Sequence, residues 1–394
     1  MRLLYITRYQ FYKAKGEIYT FPERGDRFFE KYLDVFDGLD VLGEELKPYL
    51  AEEYISDNKL VRLTNRHITV ELLPDNAKPY EFLKDIQVKK LLRSAIWNAS
   101  AVLLKPDSRK GIMAIEICKE LKKPYMVDFT ADIYSELAMH KNFLRKLYAP
   151  VLYRQILAAI REAPFGLYVT EHYLQKKYPI AGKQCGCTDA IVDKPDKSVL
   201  SRRKGKIRAH QGQYTLGLIG GYHDIGKGID TAIQALAMLG RNDVELHILG
   251  KGIEADRQRW IRYASHHGVG EQLFFDKPLS NLKDVLAWDD AIDIMVLPSR
   301  SEGLPRAIVE AISRACPCIV SNVCSLPELV NVIWLHPPGD SRRMAELVEK
   351  MLINKELMLE AAKENFERAK SFTQDVLHVR RNAFFEEFAE YCKR

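Results

Sequence analysis

At 394 residues the chain exceeds a single ordinary core of about 100–200 residues, so two domains of similar size are expected. Hydrophobic residues at 47% and charged residues at 28% exclude wholesale disorder. The 59 Lys and Arg against 53 Asp and Glu leave a net charge of +6, too small an excess to argue for a nucleic-acid partner, though it suits an anionic membrane face.

The N-terminal MRLLYITRYQ lacks the long apolar stretch and small-residue cleavage site of a signal peptide. No window approaches about 18 consecutive apolar residues, so no spanning helix is expected and the setting is read as cytoplasmic and reduced. The 7 cysteines, odd in number and sparse, suit that setting. Cys185-Gly-Cys187 and Cys316-Pro-Cys318 invite a metal reading, but a structural zinc site needs four converging ligands, so buried thiols and no metal or other cofactor are expected.

Along the chain, short apolar runs alternate with segments of helical period. In the first half the runs are Leu3–Thr7, Val41–Glu45, Ile68–Leu73, Ala101–Lys105, Tyr125–Phe129 and Leu167–Val169, with helical patterns over Glu81–Ile96 and Gly111–Leu121. Such alternation implies parallel strands buried on both faces. Around Pro179–Lys206 the rhythm breaks at glycines, prolines and a basic cluster (Lys194, Lys197, Arg202, Arg203, Lys204, Lys206), which reads as a boundary. It restarts with strands over Tyr214–Ile219, Val244–Leu249, Leu273–Phe275, Ile292–Leu297 and Pro317–Val320. Helices are expected over Ile229–Leu239, Glu254–His267, Leu282–Asp289 and Ala307–Arg314. Two consecutive doubly wound α/β units follow, facing across a cleft, because ligands bind beyond the carboxyl ends of such strands. The predicted domains are residues 1–200 and 201–374, with a last helix at about 375–394 packing back on the first domain.

The most informative segment is DIMVLPSRSEGLPRAIVE, Asp293–Glu310. A strand ends at Pro298, a polar loop follows, and Pro305 sits where a helix opens, a position that tolerates its missing N–H. Gly303 allows a ligand close to the backbone, and the helix start offers N–H groups and a positive dipole end to a diphosphate. Glu302 precedes that terminus and Glu310 follows about one and a half turns later. An anion site flanked by two carboxylates fits a ligand with phosphates and hydroxyls, such as a nucleotide sugar. On spacing alone, Glu302 could equally be a helix-entry residue and Glu310 an exposed helical glutamate.

The surrounding residues favour the ligand reading. The serine–x–glutamate–glycine–leucine–proline string, the seven residues between the glutamates and the continuation CPCIVSNVCSLPELV (Cys316–Val330) resemble the signature of family 4 glycosyltransferases of GT-B fold. The resemblance implies that Glu302 contacts donor sugar hydroxyls, Glu310 the nucleotide ribose, and Gly303, Leu304 and Pro305 the donor. LGLIGGYHDIGKG (Leu216–Gly228) resembles the strand–glycine–lysine–glycine loop of the same family, in a longer variant, which implies that Lys227 grips the diphosphate beside Gly220 and Gly221. Many members carry arginine where this chain has Gly221, so its phosphate grip rests more on Lys227. Leu246–Gly252, with Gly250 and Lys251, and Leu273–Leu279 resemble stretches near the nucleotide, where a ligand contact for Lys251 and Leu279 is weighed against surface and core roles. Cys324-Ser325 replaces the usual glycine pair and is expected to narrow the sugar pocket or to lower activity.

Phe165–Pro179 resembles a stretch in members that build bacterial capsular and extracellular polysaccharides. Asp128, Asp132 and Gly16 are the acceptor-side candidates, although a loop aspartate capping the next helix is an equally physical reading. The family implies a retaining, metal-independent transfer from a nucleotide diphosphate sugar, with uridine as first choice of base, to a glycan or lipid-linked glycan. Electrostatic stabilisation of the leaving diphosphate is then the main catalytic task. A hydrolase dyad is excluded, since eight helical residues span about 12 Å, whereas retaining hydrolases need about 5 Å. A GT-B sugar-nucleotide epimerase and an inactive nucleotide-binding scaffold subunit remain as alternatives. Lys141–Tyr148, basic and aromatic, is an amphipathic candidate for an anionic membrane surface.

Overall fold

The computed structural model describes residues 1–56, 59–74, 82–140, 142–279 and 281–394. Lys141 and Glu81 lie outside the described residues. The first half runs β1 (Arg2–Ala14), β2 (Glu17–Thr20), α1 (Asp26–Leu33), β3 (Gly38–Glu45), α2 (Pro48–Ser56), β4 (Val61–Arg62), β5 (Ile68–Leu73), α3 (Phe82–Asn98), β6 (Ala101–Leu104), α4 (Arg109–Glu120), β7 (Tyr125–Phe129), α5 (Ile133–Ala138), α6 (Phe143–Ile160), β8 (Phe165–Tyr168), α7 (Tyr173–Lys177), β9 (Lys183–Gly186). The second half runs α8 (Lys197–Ala209), β10 (Tyr214–Ile219), α9 (Ile229–Leu239), β11 (Val244–Leu249), α10 (Glu254–His266), β12 (Leu273–Asp276), α11 (Leu282–Ala291), β13 (Ile294–Leu297), α12 (Arg306–Ser313), β14 (Cys318–Ser321), α13 (Leu326–Leu329), β15 (Leu335–His336), α14 (Ser341–Ile353), α15 (Lys355–Ala369) and α16 (Gln374–Cys392).

Two sheets result. The second is wholly parallel, in the order β12-β11-β10-β13-β14-β15, so the strand order reverses between β10 and β13. In the first, β5-β3-β1-β6-β7-β8-β9 run parallel, with the reversal between β1 and β6. These strands are buried on both faces; Ala101, Val102, Leu103 and Leu104 are each at most 1% exposed.

The expectation of parallel strands alone is corrected at one edge. β1 overshoots the core sheet, and its outer half pairs antiparallel with β2, which pairs antiparallel with β4. The two-residue turn between β1 and β2 has Lys15 at φ 50° and Gly16 at φ 83°, the left-handed pair that matches the twist of a tight hairpin. Gly16 therefore serves a hairpin tip instead of an acceptor-facing loop, and a Cβ added there would meet no atom within 4 Å.

The chain ends by returning to the first sheet. On α16, Phe385 stacks 5.5 Å from Tyr32, and Phe384, Phe388 and Tyr391 surround Phe165 at 5.2–5.5 Å. Buried Arg381 donates to the Thr188 carbonyl at 2.8 Å and to Asp189 at 3.0 Å.

The basic stretch read as a boundary is largely helix α8, started by Asp196, whose carboxylate accepts the Ser198 N–H. Its Arg203 is 3% exposed and donates to the carbonyls of Ile292 and Asp289 at 2.6 Å each, and of Arg314 at 3.3 Å. A cation at a helix C-terminus is favoured by the dipole as well as by the free carbonyls. Arg203→Ala should therefore cost about 2–4 kcal/mol by leaving buried carbonyls unpaired. Urea unfolding would measure it against exposed Arg202→Ala, expected within about 0.5 kcal/mol of the parent.

Nearby, the Asp289 carboxylate is fully buried with neither oxygen hydrogen-bonded. Burial, then the charge of Glu310, pushes its pKa well above the usual carboxylate range. A raised folded pKa gives stability that is present below the unfolded value and lost as pH rises through the folded one. Asp289→Asn should thus stabilise by about 1–3 kcal/mol at pH 8, with the gain shrinking toward pH 4; thermal melts across that range read it out.

Candidate functional site at the interdomain cleft

The reversal between β10 and β13 places the loop after each strand side by side at their carboxyl ends. Gly228, at φ 71°, allows the first loop to lie against the second: a Cβ there would run into the Pro298 carbonyl. Arg300 ties them further. Its N–H donates to the Gly226 carbonyl at 2.7 Å, and its guanidinium reaches the Ile225 carbonyl at 2.7 Å and both oxygens of Asp230 at 3.0 and 2.6 Å. The bidentate geometry suits the planar guanidinium fork.

Between these loops, Lys227 Nζ donates to Glu302 Oε1 at 2.7 Å, and Ser299 Oγ donates to the same oxygen at 2.6 Å. The glutamate side chain is 8% exposed and the lysine side chain 26%. The two leading candidates are thus in contact across 75 residues of sequence. Sequence reasoning gave no role to Ser299 or Arg300, although both stand inside the informative string.

Helix α12 begins at Arg306, with Pro305 as the residue capping it at φ −73°, one place earlier than the sequence placed it. Glu310, read as exposed or ribose-facing, is buried and pairs with Arg306 at 3.0 Å. Burial raises its pKa against the opposing pull of Arg306. Leu304 packs on the core, and Pro305 is buried.

Gly220 and Gly250 meet backbone to backbone, since a Cβ on Gly250 would strike the Gly220 carbonyl. The loop holding Gly221 is pinned by the Tyr222 N–H donating to the Lys251 carbonyl at 3.0 Å, while Lys251 itself is exposed. Leu279 is half-buried beyond the end of β12, two strands from β10.

Cys324 lies in the left-handed region, φ 50°, where glycine is the easy residue. Its thiol is 3.9 Å from Ser301 Oγ. Ser325 is fully buried and donates to the Gly303 carbonyl, so its hydroxyl braces the loop.

The first domain closes on this loop. A Cβ on Gly303 would lie 2.8 Å from the Thr130 carbonyl, which follows β7. Thr130 Oγ1 accepts Lys105 Nζ at 2.5 Å; Lys105 lies 3.5 Å from Asp128, which accepts the Tyr5 hydroxyl at 2.7 Å. Asp128 is therefore buried and engaged, and it does not face an acceptor.

Asp132 is likewise corrected. It caps α5 and accepts Lys177 Nζ at 2.5 Å, the Ser135 hydroxyl at 2.5 Å and the hydroxyls of Tyr173 and Tyr178 at 2.8 Å each. Burial raises its pKa, but those hydrogen bonds outweigh it and hold the carboxyl below its usual range.

What the first domain offers at its own strand reversal is a cavity of about 570 Å³. Arg8 beyond the core of β1 and Asp107 beyond β6 stand 4.0 Å apart on its wall, with the Lys110–Glu44 pair at 3.0 Å beside them. One Asp107 oxygen is buried without a hydrogen-bond partner. The apolar wall comes from Ile133, Leu137 and the α6 residues Leu144 and Leu152. No motif marks these residues; their only sequence signal is position, at strand ends where the order reverses.

Among the described residues no group of three His, Cys, Asp or Glu side chains could hold a metal ion, and all seven cysteines are free.

Residues 204–368 match the family model described as glycosyl transferases group 1. Protein CapJ of Staphylococcus aureus is 25% identical over 386 residues, 97% of this chain and 94% of that protein. The amylovoran biosynthesis glycosyltransferase AmsK of Erwinia amylovora is 32% identical over 139 residues, covering 32% of this chain and 33% of that one. The crystal structure of Anabaena HepE with UDP and glucose superposes with a TM-score of 0.65 at 15% identity, over 99% of this chain and 100% of that one. The matched segment, similar to a glycosyl transferases group 1 domain, contains both loops of the Lys227–Glu302 pair, and the chain has the GT-B fold of two parallel-sheet domains.

Proposed function

We propose that this chain is a glycosyltransferase that moves a hexose or N-acetylhexosamine from a UDP-sugar to a lipid-linked glycan during assembly of a surface polysaccharide, with retention at the anomeric carbon and without a metal. The observation that carries the reading is the Lys227–Glu302 pair, brought together at the strand reversal of the domain that matches the glycosyl transferases group 1 model. AmsK is named an amylovoran biosynthesis glycosyltransferase and HepE was solved with UDP and glucose, which supports a biosynthetic transfer and the donor class.

In this scheme the diphosphate draws the Lys227 ammonium away from Glu302, supported by the backbone amides that open α12. Glu302, released from the lysine but still held by Ser299, accepts hydrogen bonds from donor sugar hydroxyls. Glu310 holds the ribose, and the loops of Gly220, Gly221, Gly250 and Lys251 line the nucleotide side, with Leu279 toward the base. As the glycosidic bond breaks, negative charge grows on the diphosphate where the lysine and the helix terminus are already aimed. The acceptor hydroxyl attacks from the face that the diphosphate is leaving, and a phosphate oxygen takes its proton. The cavity beside Arg8 and Asp107 receives the acceptor, the unpaired Asp107 oxygen accepting a hydroxyl.

On α6, Phe143, Leu144 and Leu147 are more than half exposed beside Arg145 and Lys146, a surface that suits peripheral binding at an anionic cytoplasmic membrane face. No described helix is long and apolar enough to cross a membrane.

Calorimetric titration and a transfer assay test the donor site. Lys227→Ala should weaken UDP binding by about tenfold or more, through loss of a charge-assisted contact. Glu302→Gln should bind UDP as well as or better than the parent, because the lysine no longer has a competing carboxylate, while transfer falls about 100-fold or more. Transfer should persist in EDTA. Parent protein that releases free sugar and UDP but never extends an acceptor would sink the transferase reading. In flotation assays, Phe143→Ser/Leu144→Ser should lose most binding to vesicles containing anionic lipid; no binding by the parent would remove the membrane assignment.

A further inference from the structure

The proposed mechanism leaves one part of the informative sequence unused, the Pro327-Glu328 pair that ends it. Glu328 lies on α13 in the donor domain, yet its carboxylate is committed to the other domain. Oε2 accepts the Glu171 N–H at 2.7 Å, and Oε1 accepts the N–H groups of His172 and Tyr173 at 3.2 and 2.6 Å. Three consecutive amides converging on one ionised carboxylate form a charge-assisted junction, strongest where solvent is partly excluded.

Two arginines brace it. Arg368 of α15 donates from Nε to the Glu328 carbonyl at 2.8 Å and from its terminal nitrogen to Glu171 Oε2 at 2.9 Å. Arg380 of α16 reaches Glu171 Oε1 at 3.1 Å. The junction is also one short loop away from the donor site. Ser325, three residues before Glu328, holds the carbonyl of Gly303, and Gly303 abuts Thr130 of the first domain. Tyr173, whose N–H meets Glu328, gives its hydroxyl to Asp132. The two domains thus touch at neighbouring strand ends, Thr130 after β7 and Glu171–Tyr173 after β8, and the Cys324–Glu328 loop takes part in both contacts.

We propose that Glu328 is a positioning residue for sugar transfer. It touches neither donor nor acceptor, and by clasping the backbone at residues 171–173 it sets the distance and angle at which the Glu302–Gly303 loop faces the acceptor domain. Small displacements between reacting groups are costly, since transfer depends on a near-attack arrangement of the acceptor oxygen and anomeric carbon. This inference rests on the transferase reading above.

The test is Glu328→Gln, which keeps the shape but removes the charge and turns an amide donor toward three donors, alongside Arg368→Ala and the double variant. The expected result is a fall in kcat of about 30-fold or more, set by misplacement of reacting groups, with UDP affinity within about twofold of the parent. Small-angle X-ray scattering should show a larger radius of gyration for each variant. The double variant should be little worse than Glu328→Gln alone, because the two side chains serve one junction. A kcat within threefold of the parent would overturn the proposal. So would UDP affinity falling in step with kcat, which would make Glu328 a donor contact, or an unchanged radius of gyration. If the parent binds UDP but transfers to no acceptor, the transferase reading fails by itself, and scattering and UDP affinity still decide whether Glu328 sets the domain geometry.

Discussion

The structure turns on a constraint of strand order. Placing β10 beside β13 leaves the loops that follow them nowhere to go but against each other, and Gly228, Arg300 and Asp230 make that contact tight. The Lys227–Glu302 pair is its chemical consequence. A partly buried carboxylate at 8% exposure needs a counter-charge, and the ammonium supplies one. The same ammonium is the cation nearest the space a diphosphate would fill in the proposed mechanism.

Across the cleft the logic differs. The first domain's charged groups at its strand ends are mostly consumed in holding the backbone. Lys105 and Asp128 anchor Thr130, and Asp132 gathers Ser135, Tyr173, Lys177 and Tyr178. These networks stiffen the two segments that meet the second domain, one ending at Thr130 and the other at Tyr173. What is left for a ligand lies farther along the strand ends, around Arg8 and Asp107, where the cavity is partly apolar and one acid oxygen lacks a partner. A rigid rim beside an incompletely satisfied pocket is the arrangement that binding sites on parallel sheets commonly take.

The uneven legibility of the sequence has the same origin. In the second domain the candidates Gly220, Lys227 and Glu302 sit on or beside loops whose positions follow from strand alternation and local spacing, with Glu310 on the helix that follows, so each could be singled out from the sequence. In the first, the deciding contacts are long-range. Asp132 looks like a loop aspartate until residues 41 and 46 positions later, Tyr173 and Tyr178, fold back on it. In the second domain the same holds for Arg203, which looks like part of a solvated basic linker until the end of α11, over 80 residues on, presents its carbonyls to it. The β2–β4 addition escaped for a different reason: β1 reads as a short buried strand because only its first half is apolar, and the half that recruits the hairpin alternates polar residues. Local pattern reveals elements and their ends, while partners across the fold decide which charged residue is structural and which is available.

Cys324 shows how such a partner set can override a local preference. A non-glycine residue in the left-handed region costs on the order of 1–2 kcal/mol, and glycine is the usual occupant in the resembled family. The turn at Cys324 is what delivers the Ser325 hydroxyl to the Gly303 carbonyl and the Glu328 carboxylate to three amides of the other domain. A charge-assisted hydrogen bond contributes roughly 1.5–3 kcal/mol, so even one of the Glu328 contacts is comparable to the strain at Cys324. The residue that replaces the glycine is thus held in place by long-range contacts. It marks a loop whose shape is enforced by what it holds at its far end, and whose Cys324 and Ser325 side chains lie against the Ser301–Gly303 loop.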